Sequence, residues 1–378
     1  MRLVYCSISK IPSREANSIH IMKMCQAFSD LGHDTLLLSS DIARDDTVDL
    51  FSYYNVRKNF SIQYIPWPKR FRLRALRYAR RVLQVYKKEK ADLVYSRDVT
   101  CCLMAAVAGF ATVWESHSAI DGLGKSAVIQ FKMLLRMKKL KKLVVISKQL
   151  KNFYVEKYGV DEQFIHVAHD GADPVSPKVV AKNEIRRENM LNLGYIGHLY
   201  KGKGMEIISQ LAPKCPNTFF HIVGGMEKDI DFWKEQLQGC SNVAFYGFVK
   251  PVEAQQYGLA MDCLIAPYMR NVSSAGATDN KNDIGKWMSP LKLFEYMSWG
   301  KPILCSDLDV LKEVMSHNET GLMCDPDDID AWVKSIDALQ SDTQLRDEIG
   351  QRAYRKFTEK YTWKKRAEGI LNSLTENV

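Results

Sequence analysis

The sequence predicts an α/β protein built as two αβα domains, and three observations lead there. Short apolar runs alternate with amphipathic stretches almost from end to end, the order expected of parallel sheets wrapped by helices. The 378 residues exceed one ordinary domain of roughly 100–200 residues and supply a core for each of two. A polar stretch, residues 172–192, carries two prolines and mixed charge and divides the alternation into two series, so it reads as the linker.

In the first series the predicted strands are residues 2–7, 34–39, 62–65, 93–96, 112–115 and 143–146. Between them fall a long helix near 18–31, a basic helix near 72–89 and an apolar helix near 100–108. In the second series the strands are 193–196, 218–223, 243–246, 263–266 and 302–305. Helices are expected near 204–212, 231–238, 251–258, 291–299, 308–316 and 329–339. No internal repeat with a period of about 20–50 residues stands out.

Composition excludes several classes. Hydrophobic residues make up 46% and charged residues 26%, which is neither disordered nor fibrous. The longest uncharged apolar run, residues 101–114, is shorter than the roughly 20 residues a bilayer crossing needs. The N-terminal MRLVYCSI lacks the length of a secretory signal, and a cytoplasmic protein is expected. Nine cysteines form no CxxC and no Cys/His cluster with zinc spacing, and an odd count argues against a complete disulfide framework.

The charge of +9 is unevenly spread. Residues 1–180 carry 29 Lys and Arg against 17 Asp and Glu, whereas residues 181–378 carry 24 against 27. The excess concentrates in residues 69–90 and 125–148, where apolar side chains interleave with cations at near-helical spacing. Arg72, Arg77, Arg80, Arg81, Lys138 and Lys139 lie in these stretches. The pattern fits a solvated helix face, or docking to an anionic membrane surface on the cytoplasmic side.

Two local features carry chemistry. The strand at 193–196 runs into Gly197, His198, Lys201, Gly202, Lys203 and Gly204 before a helix, a turn that fits either a phosphate site or an ordinary glycine-rich turn. It is neither GxGxxG nor a Walker A sequence. The second is Ser289, Pro290, Leu291, Lys292, Leu293, Phe294, Glu295, Tyr296 and Met297, followed by Gly300, Lys301 and Pro302. Pro after Ser is a helix-start signature, and a helix N-terminus there gives a second anion site. Glu295, between Phe294 and Tyr296, is placed to accept from a ribose diol.

Together with Val223-Gly224-Gly225 and Phe245-Tyr246-Gly247-Phe248-Val249, these motifs make the chain resemble the retaining glycosyltransferases of family 4, the group 1 transferases of GT-B fold, over nearly its whole length. The resemblance implies two Rossmann-like domains facing a cleft: residues 1–178 for the acceptor, joined by a crossing helix at about 361–378, and residues 179–360 for a nucleotide-sugar donor. By position, Lys203 contacts the donor diphosphate, with Gly197, His198 and Lys292 beside it. The backbone of Ser289, Pro290 and Leu291 holds phosphate oxygens, Glu295 the ribose, and Gly247 and Phe248 the base. Glu115-Ser116-His117 resembles the family's Glu-x-His segment, so His117 and Lys203 are the catalytic candidates, with Asn17 and Ser18 of the first loop near the diphosphate. Residues 144–148 and 169–173 match segments that line the family's cleft.

The resemblance further implies a UDP- or GDP-sugar as substrate and a glycan or polyprenyl-linked acceptor, as in bacterial surface polysaccharide synthesis. It implies no cofactor and no metal, the leaving diphosphate being stabilised by lysines and helix N-termini. Asp307-Leu308-Asp309 matches a DxD pattern but reads as helix capping.

The sequence departs from the family in three places. The first Glu of E-x7-E is Trp287, so its contact is either absent or remade by backbone at Met288 and Ser289 or by Asp279 or Asp283. The Arg usual after the first strand of the second domain is His198, and the common Gly-Gly of the first loop is Ala16-Asn17. A dinucleotide oxidoreductase would need GxGxxG after the first strand, where Ser7-Ile8-Ser9-Lys10 stands instead, and two further classes fit less well. A sugar-nucleotide 2-epimerase of the same fold lacks its expected cleft acids and His here. A basic nucleic-acid-binding protein would need aromatics among its cations, and the main basic helix has only Tyr78 and Tyr86.

Overall fold

A computed structural model of the chain describes residues 1–69, 73–273 and 283–375. Arg72 and Asp279, singled out above, lie outside the described residues. The chain divides into two compact units, Met1–Asp170 with Trp363–Val378, and Gly171–Thr362.

The first unit is built on β1 (Arg2–Ser7), α1 (Ala16–Asp30), β2 (Asp34–Ser40), α2 (Leu50–Tyr53), β3 (Ser61–Ile65), α3 (Arg74–Lys88), β4 (Leu93–Ser96), α4 (Val99–Val107), β5 (Ala111–Ser116), α5 (Lys125–Leu134), β6 (Leu140–Val145), α6 (Lys148–Tyr158) and β7 (Ile165–Val167). Its seven strands form one sheet in the order β3-β2-β1-β4-β5-β6-β7, with every pair parallel. Helices on both faces explain why the central strands read as unbroken apolar runs; Leu3, Val4, Tyr5 and Cys6 of β1 are all fully buried. The C-terminal helix, Trp363–Asn372, packs on α1 of this unit.

α3 shows how one sequence makes a two-faced helix. Tyr78, Ala79, Val82 and Tyr86 turn inward and pack on Val4, Leu36 and Leu38, while Arg77, Arg80 and Arg81 stay exposed.

The second unit runs β8 (Leu191–Ile196), α7 (Met205–Leu211), β9 (Thr218–Val223), α8 (Glu227–Gln236), β10 (Val243–Gly247), α9 (Pro251–Ala260), β11 (Cys263–Ala266), α10 (Leu291–Ser298), β12 (Ile303–Ser306), α11 (Asp309–Lys312), β13 (Leu322–Cys324), α12 (Ile329–Ser341) and α13 (Thr343–Lys360). Its six strands are parallel in the order β10-β9-β8-β11-β12-β13. One core lies around Leu293, Phe294 and Tyr296 of α10, and another around Met205, Ile208 and Trp332. The two parallel-sheet domains are those the sequence predicts. The three-residue strands β7 and β13 and the helices α2, α5, α6 and α13 had not been assigned. All nine cysteines are free, and among the described residues no helix is long and apolar enough to cross a membrane.

Candidate active site

In open parallel sheets, ligands bind outside the carboxyl ends of the strands, and both units concentrate unusual side chains there.

In the first unit the centre is Glu115, on the last turn of pleat in β5 and completely buried. Its Oε1 accepts from Nε2 of His117 at 2.5 Å and from Nη2 of Arg366, on the C-terminal helix, at 2.7 Å. Its Oε2 accepts from the Tyr95 hydroxyl. Nε2 of His20, on α1, lies 3.0 Å from Oε1, and Nδ1 of His20 pairs with Asp170 at 2.8 Å. The His20 ring stands edge-on to His117 at 4.7 Å and to Trp363 at 5.4 Å.

Burial is the largest influence on Glu115 and pushes its carboxyl up, but Arg366, His20 and His117 together hold it well below the usual carboxylate range. Asp170 is likewise lowered against burial, chiefly by His20. His117 is pushed down to about 4 by burial and then by the nearby Arg97, so its ring is neutral at pH 7. Arg97 follows β4, and its Nη1 is buried without a hydrogen-bond partner among the described residues. His20, Glu115 and His117 bring ligand atoms within 4.8 Å of one another, close enough for a cation, although Arg366 already occupies the Glu115 oxygen they share.

In the second unit the centre is Lys292, the second residue of α10. Its Nζ is buried with no hydrogen-bond partner among the described residues. It sits 3.9 Å from the ring centroid of Tyr195 and 4.9 Å from that of Tyr268. Lys203 Nζ lies over the same Tyr268 ring at 5.4 Å. Burial lowers Lys203 to about 8; burial and then the Lys203 charge hold Lys292 well below its usual value. Gly197, just after β8, has φ 153°, and a Cβ there would come 3.1 Å from Lys292 Nζ, so a side chain at this position would strain the backbone and crowd the ammonium. Glu295 is half-buried on α10 between the buried Phe294 and Tyr296.

Other positions differ from expectation in detail. In the turn at 197–204, Gly202 N and Gly204 N donate to the Glu206 carboxylate at 2.7 and 3.3 Å, which commits these two amides. The turn's full positive charges are the exposed Lys201 and the half-buried Lys203. Pro290 occupies the N-cap of α10 rather than its first turn, and no side chain caps that end. Asp307 and Asp309 do not cap α11: its N-cap is Leu308, without a side-chain cap, and Asp307 pairs with Lys312 at 2.8 Å. Asp283 Oδ1 accepts from Val272 N and Gly285 N, which commits it to its own turn. The Ser18 hydroxyl is buried and donates to the carbonyls of Ser13 and Glu15, whereas Asn17 Oδ1 is buried with no partner among the described residues. His198 stacks on Tyr200 at 4.8 Å. Gly247 takes φ 71°, and Phe248 after it is 46% exposed. Lys138 and Lys139 are exposed between α5 and β6.

Residues 180–356 match the family model described as Glycosyl transferases group 1, and residues 18–175 match that described as Glycosyltransferase Family 4. The chain carries glycosyltransferase domains in both halves. An uncharacterized glycosyltransferase of Methanocaldococcus jannaschii is 24% identical over 238 residues, 61% of this chain and 57% of that protein. The matches span 57 to 61% of the lengths of such curated relatives. Among solved structures, Alr3699/HepE of Anabaena in complex with UDP superposes with a TM-score of 0.74 at 16% identity, covering 99% of this chain and 100% of that one. A glycosyltransferase from Rickettsia africae gives 0.76 at 16% identity, covering 100% and 99%. The fold is thus the GT-B fold of glycosyltransferases. Neither the 2-epimerase nor the nucleic-acid-binding alternative is favoured by these likenesses.

No local sequence pattern marks Tyr195, Tyr268, Tyr95, Arg97, His20 or Arg366 as site residues. Glu115 and Asp170 had been noted only within family-like segments.

Proposed function

We propose that this chain transfers a sugar from a nucleotide-sugar donor, UDP- or GDP-linked, to a glycan or lipid-linked acceptor with retention of anomeric configuration. The observation that carries the reading is the buried Lys292 ammonium without a hydrogen-bond partner, facing Lys203 across Tyr268. The Lys292 ammonium lacks a hydrogen-bond acceptor among the described residues and the Lys203 charge acts on it, and a diphosphate supplies the charge and acceptor oxygens that such a pair of amines attracts. As the glycosidic bond breaks, negative charge grows on the departing diphosphate, and these preorganised cations stabilise it more than the ground state. Glu295 would hold the ribose and Phe248 the base. The solved HepE structure has been obtained with UDP-glucose, and that likeness favours UDP as the first donor base to test. His117 would touch the transferred sugar, and the reaction would follow a front-face, oxocarbenium-like route.

For the acceptor, the first unit offers a groove of about 920 Å³ lined by Ile42, Trp67, Leu73, Leu76, Leu103 and Met104. Leu73 is 61% exposed, and the exposed guanidiniums of Arg77 and Arg80 on the same helix make no ion pair among the described residues. An apolar furrow with a cationic helix face suits an anionic lipid carrier presented at a cytoplasmic membrane surface, with surface glycoconjugate synthesis as the setting. The test is incubation with UDP-, GDP- and ADP-sugars with and without lipid extract, measuring nucleoside diphosphate release. Release from one donor, lost in Lys203→Ala, supports the reading. No release from any donor, together with no sugar-nucleotide binding by calorimetry, refutes it.

A further inference from the structure

The strand order of the first unit reverses between β1 and β4: β2 and β3 lie beyond β1, and β5, β6 and β7 beyond β4. A parallel sheet opens a crevice at such a reversal, outside the carboxyl ends of the two strands. Arg97 is the first residue after β4 and stands at that crevice. One step beyond the paired Ser96 and Trp114, the next residues of the two strands are Arg97 and Glu115. Glu115 is nevertheless taken: its Oε1 accepts from His117 and Arg366, and its Oε2 from Tyr95. Asp98, next in the chain, spends its carboxylate on capping α4, where it accepts from Cys101 N at 2.7 Å.

Arg97 is therefore left without a counter-charge. Its Nη1 is buried with no hydrogen-bond partner, and it forms no ion pair, among the described residues. The side chain as a whole is half-buried, not sealed in. Its charge is felt around it. Burial and then Arg97 lower His117, and Arg97 opposes the burial that pushes the Tyr5 hydroxyl up, a hydroxyl that is also without a partner among the described residues. A buried donor with no acceptor is unfavourable, and the planar guanidinium fork matches two oxygens of one phosphate. Thr100, three residues and at most about 11 Å of chain beyond Arg97, lines the groove of about 920 Å³ together with Leu103 and Met104 of the same helix. An unpaired cation next to an apolar furrow suits a phosphate joined to a hydrocarbon chain.

We infer that Arg97 is the phosphate subsite for a lipid-linked acceptor, holding the phosphate beside the apolar groove of the first unit. That the ligand is an acceptor rests on the proposed transferase reading; that Arg97 takes a phosphate does not. Arg97, Tyr5 and Thr100 all belong to the first unit and Lys203 and Lys292 to the second, so variants at the two sites are independent probes.

The test is calorimetry of the intact chain at pH 7 with methyl phosphate, geranyl phosphate and glucuronate, each titrated in the presence of saturating UDP, and with UDP titrated alone. Geranyl phosphate is expected to bind at least tenfold more tightly than methyl phosphate, and glucuronate at least tenfold more weakly. Arg97→Gln is expected to weaken both phosphates at least tenfold, to leave UDP affinity within twofold, and not to lower the thermal midpoint, because the nitrogen it removes has no partner to orphan. Arg97→Lys keeps the charge without the fork; it is expected to retain part of the binding, and it carries the test if Arg97→Gln fails to fold. Leu76→Glu in the groove is expected to weaken geranyl phosphate and spare methyl phosphate. Phosphate binding indifferent to Arg97, or glucuronate bound as tightly as methyl phosphate, overturns the inference. So does a loss of UDP affinity in Arg97→Gln as large as the loss of phosphate, which would give Arg97 to the donor. The donor-release assay uses none of these phosphates, so failure of the subsite and failure of the transferase reading are told apart.

Discussion

Lys292 places its ammonium 3.9 Å from the ring centroid of Tyr195 with no hydrogen-bond partner among the described residues. A cation over an aromatic face recovers part of its lost hydration through the ring quadrupole, but a buried ammonium also wants acceptors. On the proposed reading, an anion that brings acceptors with it relieves that cost.

Replacing this side chain by an apolar one of similar length separates stability from binding. Lys292→Met is expected to raise the stability of the chain at pH 7 by about 1 kcal/mol or more, because it removes an unpaired buried amine. It is expected to weaken nucleoside diphosphate binding about 10–100-fold, the loss of one charged hydrogen bond. Urea denaturation and isothermal calorimetry measure the two effects. A variant that is destabilised and binds UDP and GDP normally would show the amine to be structural.

The same amines set a pH dependence. Lys203 is lowered to about 8 by burial, so below that pH it is charged and attracts a diphosphate, and above it the attraction is lost. Donor affinity is expected to fall as pH rises from 7 to 9, and binding near pH 8 is expected to take up protons. Calorimetry in buffers of different ionisation enthalpy checks the uptake. The stability consequence has a definite sign. A lysine lowered in the folded state binds fewer protons there than in the unfolded chain, so unfolding is favoured below the unfolded value of about 10.4 and stability rises toward it. Lys203→Met is expected to flatten that rise.

How much of this was legible follows from the physics of each element. The parallel strands are legible because burial on both faces leaves unbroken apolar runs such as 263–266, and the glycines and lysines of 197–204 mark a strand-to-helix turn that the sequence alone leaves open between a phosphate site and an ordinary turn. β7 and β13 went unseen because three residues make no period. α13 went unseen because its buried positions, Ile349, Gly350, Ala353 and Phe357, include only two large apolar side chains among many charges. Tyr195 and Tyr268 looked like ordinary core. The carboxylate network was invisible for a simpler reason: Arg366 stands 251 residues from Glu115, and only the sheet and the C-terminal helix bring them to 2.7 Å.

That pair carries a stability prediction of opposite sign to Lys292. Arg366→Met leaves Glu115 buried beside two imidazoles without its strongest partner, and is expected to cost about 3–5 kcal/mol. Glu115 is held below the ordinary carboxylate range when folded, so its contribution is present above its unfolded value of about 4.3 and is lost as pH falls through the folded value. The stability gap between wild type and Glu115→Gln, followed by denaturation from pH 7 downward, is therefore expected to close on the acid side. A gap independent of pH would remove charge from the explanation.

The cationic face of α3 gives the last prediction, and salt is its discriminator. Arg77 and Arg80 are exposed and make no ion pair among the described residues, so their field acts on whatever approaches. Each cation near an anionic bilayer contributes about 1 kcal/mol, so Arg77→Gln with Arg80→Gln together are expected to weaken binding to vesicles of one-third phosphatidylglycerol about 10–30-fold. Wild-type binding is expected to fall steeply between low and physiological salt, because exposed charges are screened within about 8 Å there. Leu76→Glu in the adjoining groove is expected to weaken binding to vesicles containing polyprenyl phosphate beyond its effect on phosphatidylglycerol alone, since only a carrier chain seated in the furrow meets that side chain. Equal losses on both vesicles would assign the groove to general membrane contact, and no salt-dependent binding at all would leave a soluble glycan as the acceptor.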